Sequence, residues 1–189
     1  MTIISGVTGC GKAALVPQLV LDALIDAGEG AHANMLVTQP RRISAVGVSE
    51  RIAAERVERI GDTVGYSIRL ETKRSARTRL MTVTTGVLLR RLQCDPELAT
   101  VSHIFVDEVH ERDLNTDFLL IILRTLLATR KDLKLVLMSA TLNARTFAEY
   151  FRDHNAATVS ASGKSGKKGG GAGDAGKKGG SGFVHKEVQ

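Results

Sequence analysis

Gly6-Val7-Thr8-Gly9-Cys10-Gly11-Lys12 is a glycine-rich loop closing on lysine, set between the apolar run Thr2–Ser5 and a helical pattern over Lys12–Ala27. Between a strand and a helix, such glycines let the backbone curl so that its N–H groups face phosphate oxygens. The positive end of the helix assists, and Lys12 reaches the terminal phosphates as a point charge. The phosphate-loop pattern ends in Ser or Thr, but this chain has Ala13. A hydroxyl there would ligate Mg²⁺, which a methyl group cannot do. Water filling its place and a site that binds nucleotide without turning it over are both compatible with the residues. A strand–helix turn that binds nothing is the plainer alternative.

A second motif decides against that alternative. Asp107-Glu108-Val109-His110 follows the buried-strand pattern Ile104-Phe105-Val106, so both carboxylates emerge at the C-terminal end of a strand. Ligands bind there in open α/β sheets. One carboxylate is expected to hold Mg²⁺ and the other to polarise an attacking water. Alone, an acidic pair at a strand end is more often solvated or helix-capping. Paired with the loop, it reads as a nucleotide-hydrolysis site.

Around these motifs the chain alternates short apolar runs with longer helical patterns, which predicts a mostly parallel sheet with crossover helices. Strands are expected at Thr2–Ser5, Asn34–Thr38, Val64–Ile68, Arg79–Thr84, His103–Asp107 and Lys134–Met138. Helices are expected at Lys12–Ala27, Ile43–Arg59, Gly86–Gln93, Thr116–Thr129 and Ala144–Phe151. Leu15, Leu19 and Leu24 with Val16, Val20 and Ala23 predict a broad apolar face on the first helix. The folded domain is placed at residues 1–152. Residues 153–189 include the stretch Ala161–Gly182, almost wholly Gly, Lys, Ser and Ala, and are expected to stay disordered. Phe183–Gln189 is too short and polar to found a second domain. Both ends read as if cut from a longer chain.

The 189 residues suffice for one domain with a sizeable core, and 43% apolar content places them among globular proteins. No apolar run is long enough for a membrane span. The net charge of +6 says little about the folded part, because residues 151–189 hold seven basic against three acidic side chains. Cys10 and Cys94 are the only cysteines, and bridging a phosphate-loop cysteine would distort the loop. A reducing, intracellular setting follows. His32, His103, His154 and His185 have no metal-ligand spacing with either cysteine, so no zinc site is inferred.

Five motifs in order resemble those of DEAH-box (DExH) RNA helicases of superfamily 2, across residues 3–151 of the first RecA-like lobe. Gly6–Lys12 resembles motif I, Thr38-Gln39-Pro40-Arg41-Arg42 motif Ia and Thr84-Thr85-Gly86 motif Ib. Asp107-Glu108-Val109-His110-Glu111-Arg112 resembles motif II, and Ser139-Ala140-Thr141 motif III. Each short motif is weak alone, and their order and spacing carry the resemblance.

The resemblance implies an α/β, RecA-like P-loop NTPase domain that uses ATP and Mg²⁺. It implies catalytic roles for Lys12, Asp107 and Glu108, with Asp107 and Glu108 at the metal. Nucleotide contacts fall to Gly6, Thr8, Gly9, Cys10, Gly11, Lys12 and Ala13, with Arg51 stacking on the base. Arg41, Arg42 and Thr84 would hold an RNA backbone, whereas His110, Ser139 and Thr141 would link the two sites. Arg41 and Arg42 as a solvated pair, and Arg51 as one more surface charge, are the alternatives for those residues. The family completes its site with a second lobe, for which this chain has no room. An RNA- or partner-binding lobe without catalysis, or a different P-loop NTPase, are the competing classes. Val7, Ala13, Ala14 and Leu15 depart from the family loop, as does Val109 from the Ala of DEAH.

Overall fold

The computed structural model describes residues 1–140, 146–151 and 184–187. Eight strands form one sheet: β1 (Thr2–Ser5), β2 (Met35–Gln39), β3 (Val64–Ile68), β4 (Glu71–Lys73), β5 (Leu80–Thr84), β6 (His103–Val106), β7 (Lys134–Ser139) and β8 (Val184–Glu187). Their spatial order is β4-β3-β5-β2-β6-β7-β1-β8. All neighbours are parallel except the β3–β4 hairpin. This is the α/β architecture expected of a RecA-like domain.

Four helices fill the crossovers: α1 (Lys12–Asp26), α2 (Arg42–Glu55), α3 (Thr85–Cys94) and α4 (Leu114–Thr129). A further helical stretch occupies 146–151. Strand side chains alternate between two cores, which explains the continuous apolar runs. Leu36, Ile104, Val106, Leu135 and Leu137 face the core shared with Leu88 of α3 and Leu119 and Leu123 of α4. Met35, Val37, Phe105, Val136 and Met138 face the opposite core with Leu21 of α1 and Ile52 of α2. Burying each such side chain contributes roughly 1.5–3 kcal/mol, so both faces are needed to hold the central strands.

Thr2–Ser5 and Val64–Ile68 fall where expected, other element ends move by at most four residues, and three differences have physical causes. Helix α1 buries only part of the expected apolar face: Val16, Val20 and Leu24 pack against the core, whereas Leu15 and Leu19 are 49% and 66% exposed. Its buried positions are Lys12, Pro17, Gln18 and Leu21, because the helix is turned so that Lys12 faces the loop. Strand β4 was not expected, since its Glu71-Thr72-Lys73 has no apolar alternation and all three residues are exposed. Its partner Gly65 allows the close approach, as a Cβ there would lie 2.4 Å from the Lys73 carbonyl oxygen. Strand β8 was also not expected. It pairs with β1 in the register Thr2↔Val184 to Ser5↔Glu187, so Val184–Glu187 extends the one sheet. The Ala161–Gly182 stretch and Ala144 lie outside the described residues.

Candidate nucleotide site

Strand β1 delivers the glycine-rich loop to the C-terminal edge of the sheet, and the Gly6 N–H anchors it by donating to the Ser139 carbonyl at 3.1 Å. Gly9 and Gly11 have φ of +84° and +86°, a left-handed conformation that favours glycine. Gly11 caps α1 without a side-chain hydrogen bond, and no acidic residue stands in the first turn. The positive helix end therefore stays uncompensated by protein charge, as an anion site requires.

Lys12 is buried, and its Nζ donates to the carbonyls of Gly6 at 2.6 Å and Val7 at 2.9 Å. The Cys10 sulfur lies 3.7 Å from the same ammonium. The lysine thus holds the loop's own curvature while keeping its charge beneath it. Both cysteines are free and exposed.

Asp107 follows β6 and is 4% exposed. The Gln39 amide, from the end of neighbouring β2, donates to its Oδ2 at 2.7 Å. Its Oδ1 is buried with no hydrogen-bond partner among the described residues. Burial pushes the Asp107 carboxyl above its ordinary range, and Glu108 adds to the shift, while the Gln39 hydrogen bond and the Lys12 charge oppose it. A buried carboxylate oxygen lacking a partner fits a divalent cation, with Glu108 beside it as a second oxygen donor.

Glu108 and Arg112 both adopt the left-handed region, at φ of 54° and 53°. They bracket a 3-10 turn at Val109–Glu111. Left-handed backbone costs roughly 1–2 kcal/mol per non-glycine residue. Val109 is fully buried in the α3–α4 core, which offsets that cost and fixes the turn. His110 consequently points back toward β7. Its Nδ1 lies 3.2 Å from the Ala140 backbone N–H and 3.3 Å from Glu108 Oε2. Accepting from Ala140 requires an unprotonated Nδ1, whereas bonding Glu108 requires a proton there, so the two contacts are alternatives.

These elements enclose a cleft of about 400 Å³. Gly9, Gly11, Lys12 and Ala13 line it from the loop and the start of α1, Asp107 and Glu108 from the end of β6, and Arg51 from α2. Arg51 is largely exposed and pairs with Glu55 one helical turn on. Gly6, Thr8 and Cys10 belong to the loop without lining the cleft.

Several wall residues escaped the sequence reading. Gln39, Ser44, Gly47 and Val48 all line the cleft. Positions 44, 47, 48 and 51 share one face of α2, so counting back from Arg51 at helical spacing was the available signal.

Arg41 and Arg42 open onto a separate groove beyond α2, and Arg41 is held 3.3 Å from Glu111. Thr84 is buried and ends β5, whereas Gly86 after it is exposed. Ser139 is buried at the end of β7, while Thr141 lies outside the described residues.

A parallel sheet with a lysine-closed glycine loop at one strand end and a carboxylate pair at another defines a P-loop nucleotide-binding domain. The DEAD/DEAH box helicase family model matches residues 1–150, and the chain belongs to that family. It is 60% identical over 149 residues to the DExH-box ATP-dependent RNA helicase DExH1 of Arabidopsis thaliana, covering 79% of this chain and 15% of that protein. It is 53% identical over 159 residues to the putative ATP-dependent RNA helicase DHX57 of Homo sapiens, covering 84% and 12%. With the human ATP-dependent DNA/RNA helicase DHX36 it shares 50% identity over 154 residues, covering 80% and 15%. The chain therefore spans under a sixth of the length of these relatives. Among the described residues no helix is long and apolar enough to cross a membrane.

Proposed function

We propose that this chain is the ATP-binding lobe of an ATP-dependent RNA helicase that couples ATP hydrolysis to RNA binding and remodelling. The observation carrying this reading is the convergence of Lys12, Asp107, Glu108 and Arg51 on one cleft. Lys12 and the loop N–H groups hold the phosphates, and Arg51 stacks on the base. Asp107, whose Oδ1 is buried without a hydrogen-bond partner among the described residues, and Glu108 would hold Mg²⁺, and Glu108 would orient the attacking water. When bound, Mg²⁺ neutralises charge on the phosphate oxygens. Arg41, Arg42 and Thr84 track the RNA backbone from the neighbouring strand ends. His110, Ser139 and Thr141 carry the state of the nucleotide site toward that track, and the two alternative partners of His110 Nδ1 support this role.

A second lobe completes the motor, and an intracellular setting, cytoplasmic or nuclear, fits the role. The chain by itself is expected to bind ATP and single-stranded RNA while turning over ATP slowly. Calorimetry with ATP and Mg²⁺, together with RNA-stimulated phosphate release, tests this. Robust RNA-stimulated turnover by the isolated chain overturns the need for a second lobe, and absence of ATP binding overturns the reading itself.

Ala13 on the cleft wall favours a second reading, a catalytically degenerate RNA- or partner-binding lobe. Mg²⁺-dependent ATP binding by Ala13→Thr but not by the natural chain supports that alternative.

A further inference from the structure

The loop lacks its hydroxyl at position 13, and the cleft contains one in another place. Among the residues lining it, Ser44 is the only one with a hydroxyl group. It is half-buried. Serines and threonines in helices commonly bond back to a carbonyl one turn earlier, as Ser49 Oγ does to Ala45 at 2.9 Å and Thr125 Oγ1 to Ile121 at 3.3 Å. Ser44 stands too near the start of α2 for such a bond, and it has no hydrogen-bond partner among the described residues.

Its place in the fold fits a role at the metal end of the cleft. Ser44 stands in the first turn of α2, five residues after Gln39, which is bonded to Asp107. Arg51, on the same helix face, lies two turns farther out, roughly 10 Å along the axis. A nucleotide with its base at Arg51 and its phosphates at Lys12 therefore runs along this face with its phosphate end toward Ser44. Gly47 lies between them on the same face and has open space beside it.

Resting on the nucleotide-site reading above, we propose that Ser44 is the positioning hydroxyl for Mg²⁺. From the first turn of α2, it would hold the hydrated ion beside Asp107 in place of the absent loop hydroxyl. Asp107 supplies the charge and Ser44 orients the hydration shell.

The test is the ratio of ATP affinity with Mg²⁺ to ATP affinity with EDTA, measured by calorimetry on the full 189-residue chain. Ser44→Ala lowers that ratio about five- to ten-fold, the effect of one hydrogen bond. Ser44→Thr keeps the hydroxyl and retains the ratio. Ala13→Ser with Ser44→Ala restores it, because a hydroxyl returns at position 13. A ratio unchanged in Ser44→Ala, or unrestored in the double variant, overturns the proposal while leaving the nucleotide site standing. If neither the natural chain nor Ala13→Ser binds ATP under either condition, the nucleotide-site reading falls and this one with it.

Discussion

Gln39 donates a 2.7 Å hydrogen bond to one oxygen of Asp107 and leaves the other buried without a partner among the described residues. The carboxylate is thus oriented but incompletely compensated, which is why its ionised form is disfavoured in the fold. Below the ordinary carboxylate pKa the group is neutral folded or unfolded, and no penalty exists. As pH rises through the elevated folded value, the native state loses stability relative to a neutral side chain. Asp107→Asn is therefore expected to melt about 2–4 °C higher than the natural chain at pH 7–8, the shift for about 1 kcal/mol in a domain of this size. That gain should shrink toward pH 4 and vanish below it. Thermal melts across pH check this, and a constant or opposite difference contradicts it.

Lys12 bridges the Gly6 and Val7 carbonyls from beneath the loop. Lys12→Ala removes both the phosphate-directed charge and that brace, and ATP affinity is expected to fall about 30- to 100-fold. Lys12→Arg should not rescue it, since a planar fork cannot replace a compact ammonium under a tight loop. Equilibrium titration with a fluorescent ATP analogue reads both variants.

Arg41 is shared between solvent and Glu111. If it serves the RNA backbone, Glu111 competes with phosphate for it. Arg41→Ala and Arg42→Ala should each weaken single-stranded RNA binding and reduce the salt slope by about 0.7. Glu111→Gln should strengthen binding roughly two-fold at low salt and have no effect at high salt. Fluorescence anisotropy over a salt series separates these outcomes.

Gly65 has no room for a methyl group beside the Lys73 carbonyl. Gly65→Ala is expected to cost about 1–3 kcal/mol, the usual range for overpacking, through displacement of β4. Denaturant unfolding gives the magnitude. The Gly65 carbonyl also accepts from Ser49 Oγ of α2 at 3.3 Å, so ATP affinity measured alongside reads whether the displacement reaches the cleft wall.

The sequence was readable wherever a strand buries both faces. Ile104-Phe105-Val106 and Leu135-Val136-Leu137 announce interior strands because each successive residue fills one of two cores. It was unreadable where pairing rests on backbone alone. Glu71-Thr72-Lys73 and Val184–Glu187 join the sheet edges with little apolar pattern, so nothing in their residue types demanded a strand. At the site, glycines and carboxylates were visible because their chemistry requires them at fixed spacing. Gln39 and Ser44 were not, because a lone amide or hydroxyl becomes functional only through what the fold sets beside it.

The four strands whose ends carry Gln39, Asp107, Ser139 and Gly6 are contiguous in the sheet, and none lies at its margin. The outermost positions belong to β4 and β8, which carry none of these groups. Working parts and tolerant parts are thereby partitioned across the width of one sheet. A substitution in β4 or β8 therefore disturbs a margin that the four central strand ends do not share. The margins can therefore change while the central ruler of strand ends, spaced at about 4.8 Å, keeps its gauge.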